Sequence, residues 1–400
     1  MRLEPPASTD PRDVLRALRA AVVGAGPAVA LGGGALPDDV PPGTAVVVTT
    51  SGSTGVPKSV VISRNALISS AYATAARIGE GAWLLAVPAT YVAGVQVLVR
   101  ALLADREPAV VAGPFRPEPF AAAARGMASH DNGARVPTYT SLVPAQLQRL
   151  LDAADADATV AEALRSFEAI LIGGQALAPS VAERAEALGA RIVRTYGSSE
   201  TSGGCVYDGV PLDGVGMSVV DGEVRLSGST LAEGYLGDPE RTASVFPVDA
   251  DGTRWYRTGD GGEIVDGVLR VTGRLDNVIV SGGVNVSLDR VEAAVRGIAG
   301  LESAVVVPIP DAEWGQGSAV VVPGISPAEE TAALERIRAA VGAEMGAPAR
   351  PARVVSIAEL PTLSSGKPDR AALRAALARD PRAQAHPSGS GSTGHGSDRA

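Results

Sequence analysis

The sequence predicts an α/β fold: a large N-terminal domain of mostly parallel α/β layers with a β-rich part, followed by a small α+β C-terminal domain. Three observations predict it. Short β-branched runs alternate with Ala-rich helical stretches through the first half, the pattern of βαβ units. After about Gly214 the character changes to short strands with turn signals. From Val278 the chain reads as a separate mixture of helix and strand.

Taken in order, Ala45–Val48, Trp83–Val87, Ala109–Val111, Ala169–Ile172 and Arg191–Val193 are the strand candidates, and Ala66–Arg77 and Val181–Leu188 the helix candidates. Gly24-Ala25-Gly26 begins like a dinucleotide fingerprint but lacks its third glycine, so it reads as a turn. Gly222–Leu226 and Gly262–Gly267 supply short strands. A domain boundary is placed near Asp276, giving domains at 1–275 and 276–380. Beyond it come a helix at Asp289–Arg296, a strand at Ala304–Pro308 and a last helix near Asp369–Ala378. Residues 381–400, rich in Ser and Gly, read as a disordered tail.

Composition excludes several classes. At 400 residues and 46% hydrophobic content the chain is long enough for two domains, and with aromatics at 4% its core is built from small aliphatics. A net charge of −9 without a basic run argues against nucleic acid as a partner. The single cysteine, Cys205, excludes a disulfide framework and a cysteine-rich metal site, which suits the cytoplasm. Met1–Pro6 lacks the apolar core of a signal peptide, and no apolar run reaches the ~20 residues that span a bilayer. A cytoplasmic enzyme with no membrane partner is expected. Two of three histidines, His386 and His395, fall in the tail; a histidine-based serine triad would need His130 itself.

Five segments carry chemistry. Thr49-Thr50-Ser51-Gly52-Ser53-Thr54-Gly55-Val56-Pro57-Lys58-Ser59 packs hydroxyls, glycines and a lysine into a turn after an apolar strand. Backbone N–H groups, hydroxyls and an ammonium together cradle phosphate. A flexible linker has similar composition, but linkers rarely follow a β-branched strand or end in Pro-Lys. The Walker spacing is absent, so the phosphate is gripped by another device. Tyr196-Gly197-Ser198-Ser199-Glu200-Thr201 follows a strand, where α/β sheets bind ligands. There Tyr196 can stack on a base, Ser199 can meet phosphate and Glu200 can hold Mg²⁺; a surface turn is the plain alternative. Arg257-Thr258-Gly259-Asp260 sets a carboxylate after a tight turn, suited to ribose hydroxyls. Gly273-Arg274-Leu275-Asp276 and Ser281-Gly282-Gly283 combine a cation, a flexible joint and a side-chain-free strand. Leu363–Asp369 holds Lys367 on a glycine turn just before a helix.

In this order, over roughly residues 40–375, these segments resemble the adenylate-forming superfamily of acyl-CoA synthetases, luciferases and peptide-synthetase adenylation domains. Within it the chain is most similar to the o-succinylbenzoate–CoA ligase family of menaquinone biosynthesis, in a short actinobacterial-type form. The phosphate loop begins already at Thr49, and 88–100 and 203–209 look like that family's acid-pocket segments. The resemblance implies that ATP and the acid give an acyl-adenylate and pyrophosphate, after which the CoA thiol displaces AMP. It assigns Lys367 to the bridge between carboxylate and α-phosphate. Thr50, Ser51, Gly52, Ser53, Thr54, Gly55, Lys58 and Ser199 fall to the phosphates, and Glu200 to Mg²⁺. Gly174, Gln175 and Tyr196 match the adenine slot, and Asp260 and Arg274 the ribose contacts. Asp276 matches the hinge, Gly282 and Gly283 the CoA channel. Tyr91, Arg100 and Gly203 are implied at the acid, with Arg100 facing the distal carboxylate of the dianionic substrate unless it is merely a surface arginine ending a helix. A homodimer is implied by the resemblance alone.

The chain departs from the family pattern in places. Ser199 replaces threonine, Tyr91 stands where relatives carry histidine, and Ser287-Leu288 replaces an aromatic-proline pair beside the CoA channel. The rival readings are another aryl- or acyl-CoA ligase, a stand-alone adenylation domain loading a carrier protein, and a nucleotide-binding regulator without catalysis.

Overall fold

The structure is a computed structural model and describes all residues except 35, 52–56, 112, 128–129, 132, 312–313, 364–365 and 380–400, together with the side chains of Ser51 and His130. A seven-stranded sheet organises the first half. Its order is Val210–Pro211, Gly203–Tyr207, Ile192–Ser198, Ala169–Ile172, Thr138–Leu142, Ala82–Leu85, Ala109–Val110. The last five of these strands are mutually parallel, and the two at the other edge are antiparallel. A parallel sheet must be covered on both faces, and the strand residues divide accordingly. Trp83, Leu85 and Leu171 join one core with the helices Arg64–Ile78 and Val92–Leu103; Ala82, Leu84, Ile170 and Ile172 join a second core under the helices Pro117–Arg125, Pro144–Ala154, Ala158–Ser166 and Pro179–Leu188.

A five-stranded sheet runs Leu3–Glu4, Ala28–Leu31, Thr44–Ser51, Pro57–Ser63, Gly234–Tyr235. Thr44–Ser51 and Pro57–Ser63 are antiparallel, with Thr49 opposite Ser59 and Thr50 opposite Lys58. This corrects the reading of Thr49–Ser59 as one turn: its two ends are strand, and only 52–56 lies between them. The third sheet, Val215–Val220, Glu223–Gly228, Trp255–Val265 and Val268–Arg274, is wholly antiparallel. Asp260 therefore sits inside a strand rather than after a tight turn; Gly259 at φ +69° and a bulge at Gly261/Gly262 provide the local irregularity.

Residues from Val278 onward form another sheet, in the order Val284–Ser287, Val278–Ser281, Gly315–Pro323, Val305–Asp311, with Arg353–Ile357 also paired to Gly315–Pro323. Its faces are covered by the helices Leu288–Arg296 and Glu330–Met345 on one side and Arg370–Arg379 on the other, making cores that draw only on this part of the chain. Gly282 and Gly283, at φ +56° and +81°, are the two central residues of the hairpin turn joining Val278–Ser281 to Val284–Ser287, not part of a strand. No described helix is long and apolar enough to cross a membrane.

Candidate active site

The strand Ile192–Ser198 is longer than its apolar start suggested, because Tyr196–Ser198 stay paired with Gly203–Tyr207 across a register shift between Tyr196 and Gly197. It carries the Tyr196 ring and runs into the single turn Ser199–Thr201, whose Ser199 and Glu200 are buried. That turn is closed by Thr201, which accepts from Ser198 N at 2.9 Å and donates to the Gly203 carbonyl at 2.7 Å.

Glu200 is the electrostatic centre. Lys58, on the returning strand of the phosphate hairpin, donates to Glu200 Oε1, and the Tyr235 hydroxyl donates to the same oxygen at 2.9 Å. Burial alone would raise the Glu200 pKa; the charge and hydrogen bond of Lys58, with Ser198, reverse this and hold it below the usual glutamate value. Lys58 also lies 5.4 Å from the centroid of the Tyr235 ring. On the facing strand the buried Thr50 hydroxyl has no hydrogen-bond partner among the described residues. Gly52, Ser53, Thr54 and Gly55 lie outside the described residues.

A second acidic cluster stands across the cleft. Tyr196 donates its hydroxyl to Asp260 Oδ2 at 2.6 Å, and Arg274 Nη1 reaches Asp260 Oδ1 at 3.3 Å and the Thr258 carbonyl at 2.7 Å. Burial raises the Asp260 pKa, opposed by Tyr196 and Arg274. The other edge of the Arg274 guanidinium grips Asp276, at 2.9 Å to each carboxylate oxygen. One arginine thus links the ribose candidate to the hinge candidate.

Lys367 enters the space between these clusters from the C-terminal region. A β-carbon at Gly174 would stand 3.4 Å from Lys367 Cε, so the lysine lies over the Gly174–Gln175 turn, where Gly174 takes φ +83°. Although Lys367 keeps contact with solvent, protein crowded around its ammonium lowers its pKa by burial, while Glu200 and Asp260 pull it upward. Sequence positions 50, 58, 174, 196, 200, 260, 274 and 367 are therefore linked through the contacts of Glu200, Asp260 and Lys367. Gly282 and Gly283 instead form the exposed turn described above, with the Trp314 ring packed where a Gly282 β-carbon would fall.

The acid-pocket candidates group around the helix Val92–Leu103, which Tyr91 precedes as N-cap. Gly203 faces this helix: a β-carbon there would meet Gln96 Cγ at 3.1 Å. One turn on, Arg100 is buried rather than a surface residue, with its guanidinium 5.0 Å from the Trp83 ring centroid and Nη2 3.4 Å from the Tyr207 hydroxyl. No carboxylate among the described residues pairs with it, its Nε and Gln96 Oε1 have no partner, and burial lowers its pKa. Sequence reasoning missed Tyr235 and held Gln96 only as one residue of the segment 88–100, without singling it out. Tyr235 sits on a two-residue edge strand brought beside Pro57–Ser63 only by tertiary pairing, so no spacing pointed to it.

The chain matches the AMP-binding enzyme family over residues 11–265 and the AMP-binding enzyme C-terminal domain over 290–367. It belongs to the AMP-binding enzyme family. This family member is 40% identical, over 346 residues and 84% of each chain, to a probable 2-succinylbenzoate–CoA ligase of Mycobacterium tuberculosis. Among solved structures it resembles Escherichia coli MenE with bound OSB-AMS (TM-score 0.66, 26% identity, covering 87% of this chain and 71% of that one). It also resembles the amide bond synthetase McbA of Marinactinospora thermotolerans (TM-score 0.67, 26% identity, 88% and 76% covered). The AMP-binding enzyme described here is an adenylate-forming acid–thiol ligase.

Proposed function

We propose that this ligase converts o-succinylbenzoate to o-succinylbenzoyl-CoA through an acyl-adenylate, as a step of menaquinone biosynthesis. The observation that carries the choice of acid is Arg100: a buried guanidinium without a carboxylate partner among the described residues, on the helix that faces Gly203. An uncompensated buried cation is costly, and the second carboxylate of a dianionic acid supplies the missing charge.

In the first half-reaction two anions must meet at the α-phosphorus. Lys367 bridges the acid carboxylate and the α-phosphate, while Lys58 and Thr50 hold the outer phosphates. The adenosine lies along Gly174, Gln175 and Tyr196, with its ribose hydroxyls on Asp260. Mg²⁺ fits Glu200: the carboxylate is kept ionised, and the cation now beside it is the Lys58 ammonium. No group of three acidic, His or Cys side chains capable of holding a metal occurs among the described residues. An ion bound through one carboxylate, waters and substrate phosphates needs only Glu200 from the chain; bound there, Mg²⁺ would neutralise phosphate charge. For the second half-reaction the C-terminal domain turns about Asp276, withdraws Lys367 and presents Gly282-Gly283 to the CoA thiol.

Pyrophosphate release across a panel of carboxylic acids, with and without CoA, tests the reading. Turnover with o-succinylbenzoate and CoA is expected to exceed that of monocarboxylate analogues, and Arg100→Leu is expected to erase that preference. No turnover with o-succinylbenzoate would sink it. Adenylate that accumulates despite CoA would instead indicate loading of a carrier protein.

A further inference from the structure

Lys367 is tied by backbone hydrogen bonds between the described residues on either side of it. Leu363 N donates to the Lys367 carbonyl at 2.8 Å, Gly366 N to the Leu363 carbonyl at 2.9 Å, and Asp369 N to the Pro361 carbonyl at 2.8 Å. The residue after Asp369, Arg370, opens the helix Arg370–Arg379 and turns its side chain into the domain. There Nη2 donates to both oxygens of the buried Glu292, at 2.8 and 2.7 Å, and Nη1 donates to the Val306 carbonyl at 2.7 Å. Glu292 is itself fixed by Val306 N at 2.8 Å and Arg296 Nη2 at 2.9 Å. Arg370 thus spans the Glu292 carboxylate through Nη2 and the Val306 carbonyl through Nη1; a charge-assisted hold on a carboxylate that Val306 N and Arg296 also fix is a firm anchor, and it lies three residues from Lys367.

We propose that Arg370 and Glu292 are positioning residues for adenylation: they fix the segment that carries Lys367, so that the ammonium meets the acid and α-phosphate in the geometry the first half-reaction needs. The inference rests on the assignment of Lys367 given above. Displacement of a reacting group by ~1 Å costs about 10²-fold in rate, and the anchor acts only while Lys367 occupies the cleft. Once the segment has swung away, thioester formation no longer depends on it.

Arg370→Lys keeps a positive charge against Glu292 but gives up the simultaneous hold on Glu292 and the Val306 carbonyl that two guanidinium nitrogens provide. Adenylation measured by ATP–pyrophosphate exchange is expected to fall about 10²-fold. CoA acylation from supplied o-succinylbenzoyl-adenylate is expected to be unchanged. In a Lys367→Ala background the same substitution is expected to cost nothing further, because a residue acting only through Lys367 has nothing left to position. Equal losses in both half-reactions, or an added loss in that background, overturn the proposal and leave a purely structural anchor. If Arg370→Lys does not melt as a folded protein, Glu292→Gln, which keeps an acceptor for Val306 N, carries the same comparison. A Lys367→Ala variant that retains adenylation marks a different failure: it removes the role of Lys367 and the proposal with it.

Discussion

At the scale of single residues, the cleft is organised by charges that burial makes consequential. Lys367→Ala is expected to lower adenylation by roughly 10²–10³-fold, the usual cost of removing one electrostatic donor. Thioester formation from supplied acyl-adenylate should survive; if both half-reactions fall together, the two-state use of this lysine is wrong. Its lowered pKa also has a sign. The reactive form is the ammonium, so the alkaline limb of the adenylation pH profile should lie below the ordinary lysine value of 10.5. The limb should disappear in Lys367→Arg, which stays charged. A limb that stays in place in Lys367→Arg would assign it to another group. Glu200 and Lys58 are legible from their segments, yet the Tyr235 hydroxyl that completes the cluster was invisible, since its strand has only two residues.

At the scale of elements, the strand Ile192–Ser198 and its antiparallel neighbour Gly203–Tyr207 hold the site by close backbone approach. A β-carbon at Gly197 would fall 2.2 Å from the Gly203 carbonyl oxygen, inside the bulge that aims Tyr196 at Asp260. Gly197→Ala is expected to cost about 1–3 kcal/mol of stability by overpacking and to weaken ATP binding in titration calorimetry. Unchanged stability and affinity would mean that the two strands part easily. The strand and helix cores could be read in sequence because alternation and Ala-rich periodicity are local signals. Ends of elements could not: Tyr196–Ser198 stay extended because a neighbour pairs with them, and Asp260 lies mid-strand because Glu223–Gly228 and Val268–Arg274 flank it.

At the scale of the whole molecule, Arg274 holds Asp260 with one edge and Asp276 with the other, so it ties the ribose candidate to the hinge candidate. Asp276→Pro fixes φ near −65° and removes the ion pair. It is expected to slow thioester formation more than adenylation in single-turnover measurements, and equal slowing would refute a hinge at this position. By itself, the sequence determined the α/β layering, the order of the chemical segments and the types of group needed to handle ATP, because each is written in a few adjacent residues. Only the tertiary structure decided which of those groups meet. It set Lys58 against Glu200 across 142 positions, laid Lys367 over the Gly174 turn and sank Arg100 away from water. Long-range pairing and burial are properties of the packed chain, and no local pattern of residues specifies them.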